Sequence, residues 1–162
     1  RPQAEAGQLI YLVGGEAAVL ERARPVLAAM GGAIHHAGPT GQGALSKLVV
    51  NTLFAVQVAT MAELVGFLRH ASPSAAAVIE LLGGMPVCSS AARGAAGGML
   101  AGAFAPQFPV ALAEKDLGYF LAAAQARGMS APLAEAARHQ FQATMAAGHG
   151  AENLTAVGKL FD

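Results

Sequence analysis

The sequence predicts a mainly α chain of about six helices, one of them long and central, preceded by a βαβ remnant of a parallel sheet. Three observations carry this. Strand-forming runs occur only before residue 38. From Gly41 onward the apolar residues recur at helical spacing. Gly and Pro punctuate that later pattern at helix-length intervals, with no internal repeat.

Gln8-Leu9-Ile10-Tyr11-Leu12-Val13 is a short apolar run closed by Gly14-Gly15, which reads as a strand. A helical pattern runs from Glu16 to Met30 and stops at Gly31-Gly32, and Ala33 to Ala37 is a second strand. Strand, helix and strand in so few residues fit one parallel crossover unit. Two strands do not make an independent sheet, so the unit reads as part of a larger one. The helical pattern from Gln42 to Arg69 is roughly 42 Å long at 1.5 Å per residue. Its apolar residues go nearly all round, which predicts a centrally buried helix. Ser72-Pro73 starts the next helix and Gly83-Gly84 closes it, and another begins near Ser89 or Ser90. Pro106 and Pro109 break the pattern before a helix ending at Gly128. Ser130-Ala131-Pro132 opens the next, to Ala147, and a short last helix covers Glu152 to Leu160. The domain boundary falls at Gly38-Pro39, dividing 1–38 from 39–162.

The 162 residues are 54% hydrophobic, enough for a sizeable core, and ten Lys+Arg balance ten Asp+Glu. Without a basic field, nucleic-acid binding is not expected, and no polybasic run marks a membrane surface. The single cysteine, Cys88, allows no intrachain disulfide. Arg1 to Ala6 lack the order of a signal peptide, and the longest uncharged run, Gly94 to Ala113, is interrupted by two prolines. A soluble, cytoplasmic protein is the expectation. The five histidines form no metal-ligand spacing, so no metal is expected, and no G-x-S-x-G elbow supports a serine hydrolase.

Two segments carry candidate chemistry. In Gly38-Pro39-Thr40-Gly41-Gln42-Gly43-Ala44-Leu45-Ser46-Lys47-Leu48-Val49-Val50-Asn51, Lys47 and Asn51 stand four apart on one helix face. Glycines at the helix entry let backbone approach a ligand, and the helix N-terminus favours an anion. The alternative is a solvated Lys and Asn on an amphipathic helix. Gly41 to Ser46 also imitates a G-x-G-x-x-G fingerprint, but the sixth position is Ser and no strand follows. The second segment is Phe108-Pro109-Val110-Ala111-Leu112-Ala113-Glu114-Lys115-Asp116-Leu117. Taken alone, its Lys115-Asp116 reads as a weak surface ion pair. Gly94, Gly98 and Gly102, four apart, read as tight helix packing or as an irregular Gly-rich stretch.

Together, in this order, the G-x-x-G-x-G-x-x-x-K-x-x-x-N and F-x-x-x-L-x-x-K-D-L patterns resemble the β-hydroxyacid dehydrogenase family, within the wider 6-phosphogluconate dehydrogenase-like group. Ala4 to Leu9 and Val13-Gly14-Gly15 resemble the last strand of that family's Rossmann-type nucleotide-binding domain. The resemblance covers essentially the whole chain. It implies that residues 1–38 end a Rossmann-type sheet and that 39–162 form a C-terminal all-α substrate and oligomerisation domain. It implies an NAD or NADP cofactor and a short hydroxy acid or semialdehyde substrate. Lys47 matches the family's catalytic general acid/base, and Asn51 the residue that holds that lysine and the substrate. Lys115 matches a residue contacting cofactor and substrate, with Asp116 its neighbour, and Phe108 approaches the nicotinamide. Gly41 and Gly43 fall on the substrate side. A lysine acting as acid/base near neutral pH needs a depressed pKa, which a buried helix site beside another cation supplies.

The family's dinucleotide fingerprint and its S-G-G substrate segment do not occur in these 162 residues, and Glu152-Asn153-Leu154-Thr155 lacks the acidic residues often seen there. A non-catalytic all-α binding module of the same fold is the alternative reading. An imine-reducing relative is a third, disfavoured because such relatives usually replace the lysine found here at 47. Light scattering at micromolar concentration should report a homodimer or homotetramer, because the helical region is apolar nearly all round and the sheet remnant offers an unpaired edge. A clean monomer would contradict this.

Overall fold

The structure is a computed structural model describing residues 2–162, with side chains from Ala4 onward. In chain order it contains α1 (Pro2–Glu5), β1 (Leu9–Gly14), α2 (Ala17–Ala28), β2 (Gly31–Gly38), α3 (Gln42–Ala71), α4 (Ala75–Gly83), α5 (Ser90–Leu100), α6 (Val110–Gln125) and α7 (Pro132–Thr144). A π-helical turn (Met145–His149) and a 3-10 helix (Leu154–Phe161) follow. The mainly α architecture with a two-stranded βαβ remnant is the one the sequence predicts. Packing divides the chain into two compact units, Arg1–Val50 and Asn51–Asp162.

In the first unit β1 and β2 pair in parallel, from Leu9 opposite Gly31 to Gly14 opposite Gly38, with α2 as the crossover. Glycine is required where backbones meet. A Cβ on Gly14 would lie 2.7 Å from the Pro39 carbonyl and 2.8 Å from the Gly43 nitrogen. A Cβ on Gly43 would lie 2.7 Å from the Gly14 nitrogen. The first turn of α3 therefore packs backbone to backbone against the end of β1. Gly41 turns the chain into it at φ +92°, a conformation that side chains disfavour.

In the second unit the core is built from small residues. Ala55, Val58, Ala59, Ala62 and Val65 of α3 are buried with Ala92, Ala95, Ala96 and Met99 of α5. Val110, Ala113 and Leu117 of α6, and Ala134, Ala137 and Phe141 of α7, complete the cluster. The 3-10 helix inserts Leu154, Ala156 and Val157 and touches α5, α6 and α7. Gly66 admits it, since a Cβ there would stand 3.0 Å from the Phe161 carbonyl oxygen. Arg69 ties the end of α3 to the same region: it donates to the Met99 carbonyl at 3.0 Å and pairs with Asp162.

Two expectations are corrected. The long helix is not buried all round: Leu53 is 60% and Phe67 67% exposed, and Val49, Val50 and Leu64 are exposed too. Its buried side is mostly small, with Met61 the exception, and Leu53, Leu64 and Phe67 lie on the exposed side; composition alone does not separate the two. Among the described residues it is the one helix long and apolar enough to cross a membrane. The helix expected to reach Ala147 gives way at Thr144 to the π-helical turn, within which Gly148 takes φ +92°.

Phe141 is fully buried at the centre of the second unit. Phe141→Ala should cost about 3–5 kcal/mol, the usual loss for a large aromatic whose site cannot collapse. Urea unfolding followed by circular dichroism measures this, and a loss under about 1 kcal/mol would mean the helices close over the gap.

Candidate active site

In the first unit the parallel strands end at Gly14 and Gly38, and beyond those ends lies a crevice of about 330 Å³. Gly15, Glu16, His36, Gly38, Pro39 and Thr40 line it. His36 Nε2 donates to the Gly15 carbonyl at 2.7 Å, which fixes the rim. A Cβ on Gly15 or Gly41 would meet nothing within 4 Å, so both backbones are open to a ligand. A crevice at the carboxyl ends of parallel strands is where α/β sheets bind nucleotides and substrates, so these residues fit a cofactor's approach. Gly43 is buried against β1. Lys47, in the second turn of α3, is exposed, which corrects the expectation of a buried lysine. The first turns of α3 bury Gly43, leave Leu45 and Leu48 half-buried and expose Gln42 and Lys47.

In the second unit Asn51 is half-buried, and its Nδ2 donates to Asp116 Oδ2 at 2.6 Å. Asp116 is 4% exposed. On α6 it falls in the stripe formed by Ala113, Asp116 and Leu117, at the spacing of one helix face. Lys115 falls outside that stripe. Its side chain is 48% exposed, its Nζ is 3.9 Å from Asp116 Oδ1, and the ammonium sits 5.9 Å from the Tyr119 ring centre. The surface ion pair expected from the sequence is thus split: the lysine faces outward and the carboxylate is inside, bonded to Asn51. An adjacent Lys-Asp does not reveal this, although the apolar periodicity of α6 does place Asp116 on the inner face.

Phe108 precedes α6 and stacks on Phe54 of α3, with centroids 6.5 Å apart and planes at 15°. Its backbone is held by residues far along the chain. The Phe108 N–H donates to Asn153 Oδ1 at 3.0 Å, and Leu154 N–H donates to the Phe108 carbonyl at 2.8 Å. The Asn153 N–H donates to the Phe104 carbonyl at 3.0 Å, and the Val110 N–H donates to the Glu152 carbonyl at 2.9 Å. Glu152 is itself fixed: Lys159 Nζ donates to it at 2.6 Å and His149 Nδ1 at 2.9 Å. The Lys159 ammonium also lies 4.6 Å from the Phe104 ring centre. Sequence reasoning missed this group. An Asn before an apolar run is an N-cap signal, and Asn153 does precede the 3-10 helix, but its partner is 45 residues away.

Comparisons with known proteins identify the family. Residues 41–161 match the family model described as NAD-binding of NADP-dependent 3-hydroxyisobutyrate dehydrogenase, and residues 1–38 match the NAD binding domain of 6-phosphogluconate dehydrogenase. The NAD-dependent L-serine dehydrogenase of Pseudomonas aeruginosa is 34% identical over 175 residues, covering 98% of this chain and 56% of that protein. The 3-hydroxyisobutyrate dehydrogenase of the same organism is also 34% identical, over 98% of this chain and 56% of its own length. A solved structure of Mycobacterium tuberculosis 3-hydroxyisobutyrate dehydrogenase with L-serine superposes with a TM-score of 0.89 at 32% identity, covering 98% of this chain and 57% of that one. The chain spans about half the length of the relatives it matches.

The hydrogen bonds from Lys159 and then His149 hold the Glu152 carboxyl below the ordinary carboxylate range. A carboxyl whose pKa is lowered in the fold stabilises it above the unfolded pKa and loses that contribution as pH falls through the folded pKa. Lys159→Met should therefore melt below the parent at neutral pH, with the gap narrowing as pH drops through the acid range. Thermal scans from pH 7 to about pH 2 test it, and a gap constant with pH would assign the loss to packing on Phe104 instead.

Proposed function

The chain belongs to the family of NAD(P)-dependent 3-hydroxyisobutyrate dehydrogenases, and from that premise we propose that the protein exchanges hydride between NAD or NADP and a short 3-hydroxy acid or its semialdehyde. The observation that carries the reading is the hydrogen bond from Asn51 to Asp116, which joins the two sequence motifs across 65 residues.

In this reading Lys47 is the general acid/base. It accepts the proton of the substrate hydroxyl on oxidation and returns it to the carbonyl oxygen on reduction. Asn51 orients that hydroxyl. Lys115 supplies positive charge for the substrate's acid group and the cofactor, and Phe108 an apolar face beside the cofactor, next to Asp116. Gly41 and Gly43 let the helix entry approach the substrate, with residues 1–38 serving nucleotide binding and 39–162 the substrate. Bound nicotinamide supplies the hydride acceptor or donor. L-serine and 3-hydroxyisobutyrate, in the names of two relatives, are both 3-hydroxy acids bearing a primary hydroxyl, which supports the substrate class. The reading is completed by a soluble, cytoplasmic homodimer or homotetramer, for which the exposed Leu53, Leu64 and Phe67 of α3 offer an apolar surface.

The test is a spectrophotometric assay with 3-hydroxyisobutyrate, L-serine, succinic semialdehyde and glyoxylate and both cofactors. It is run on this chain and on a version extended upstream by a G-x-G-x-x-G half. The extended protein should turn over at least one of these substrates, and Lys47→Met should lower its kcat about 10²- to 10⁴-fold. The 162 residues alone should not turn over, because the pyrophosphate-binding turn is not among them. Activity of the short chain within about tenfold of the long one would overturn the placement of the cofactor.

A further inference from the structure

An amide side chain has a donor end and an acceptor end of nearly the same shape, and its working face depends on which way it is turned. A carboxylate offers only acceptors. The Asp116 carboxylate, 4% exposed and 2.6 Å from Asn51, therefore engages the NH₂ end of Asn51, and the Asn51 Oδ1 is turned away from it. The contact is short, as hydrogen bonds to a carboxylate are, and it lies in a half-buried setting where water competes little. Asp116 also cannot swing out as its neighbour Lys115 does, because Ala113 and Leu117 hold its face of α6 inside the core.

We propose that Asp116 is a positioning residue: its carboxylate holds the NH₂ end of the Asn51 amide so that Asn51 turns its Oδ1 acceptor toward the reacting groups. An acceptor at that point receives a hydrogen bond from a hydroxyl or an ammonium, the substrate alcohol or a lysine. The role rests on reading Asn51 as part of the catalytic site, as above. It assigns Asp116 a task distinct from touching the cofactor.

Two measurements test it. In ¹H–¹⁵N spectra of the 162-residue chain, the Asn51 side-chain amide, identified by its loss in Asn51→Asp, should show one proton shifted downfield, and Asp116→Asn should abolish that shift. In the active extended protein Asp116→Asn should lower kcat about 10- to 100-fold, the scale of a small misplacement in a site, with the cofactor KM and the Tm nearly unchanged. The exchanged pair Asn51→Asp with Asp116→Asn restores the bond in reverse and still presents an acceptor at position 51, so it should recover much of kcat; it also serves if the single variant folds poorly. An unshifted amide signal, a normal kcat in folded Asp116→Asn, a change confined to the cofactor KM, or an inactive but folded exchanged pair would each overturn the proposal. Absence of any turnover by the parent protein overturns the catalytic reading itself, and the amide signal then still decides whether Asp116 sets the orientation of Asn51.

Discussion

The second unit depends on how closely α3 lets its neighbours approach. Its buried residues include Ala55, Val58, Ala59, Ala62, Val65 and Gly66, with Met61 the one larger side chain among them. Small residues bring backbones near enough for main-chain groups to be reached. Arg69 finds the Met99 carbonyl, and Gly66 lets the 3-10 helix lie against α3. A core of alanines buries little area per residue, so its stability comes from density of contact more than from large apolar side chains. Larger side chains, among them Phe141, Met99, Leu117, Met61, Ile79 and Leu154, fill the remaining volume.

The first unit obeys the same constraint at a smaller scale. Gly14 and Gly43 face each other with no space for a Cβ, which fixes the start of α3 relative to β1. Glycines that could have served only ligand approach divide their work here: Gly43 packs, while Gly15 and Gly41 stay open.

Much of this was legible in the sequence. Element order followed from hydrophobic period and from Gly and Pro positions, and the two motifs singled out Lys47, Asn51, Phe108, Lys115 and Asp116. What was not legible has a common physical cause. Burial of Asp116, exposure of Leu53 and Phe67, and the capture of Phe108 by Asn153 all depend on which face meets which partner, and that is decided by contacts distant in the chain. A lysine beside an aspartate looks the same in sequence whether both are wet or one is buried. The apolar pattern of the long helix reads as buried all round because an apolar residue counts alike in a pattern whichever face it occupies.

The Asn153 attachment also sets an order of events during synthesis. Phe108 and the start of α6 emerge from the ribosome well before the residues that hold them, since the partner lies 45 positions later. Until that stretch is free, the Phe108 N–H lacks its Asn153 acceptor and the segment from Phe104 to Pro109 has no fixed path. The attachment of Phe108 and the start of α6 is therefore completed last, when the 3-10 helix docks against helices already made.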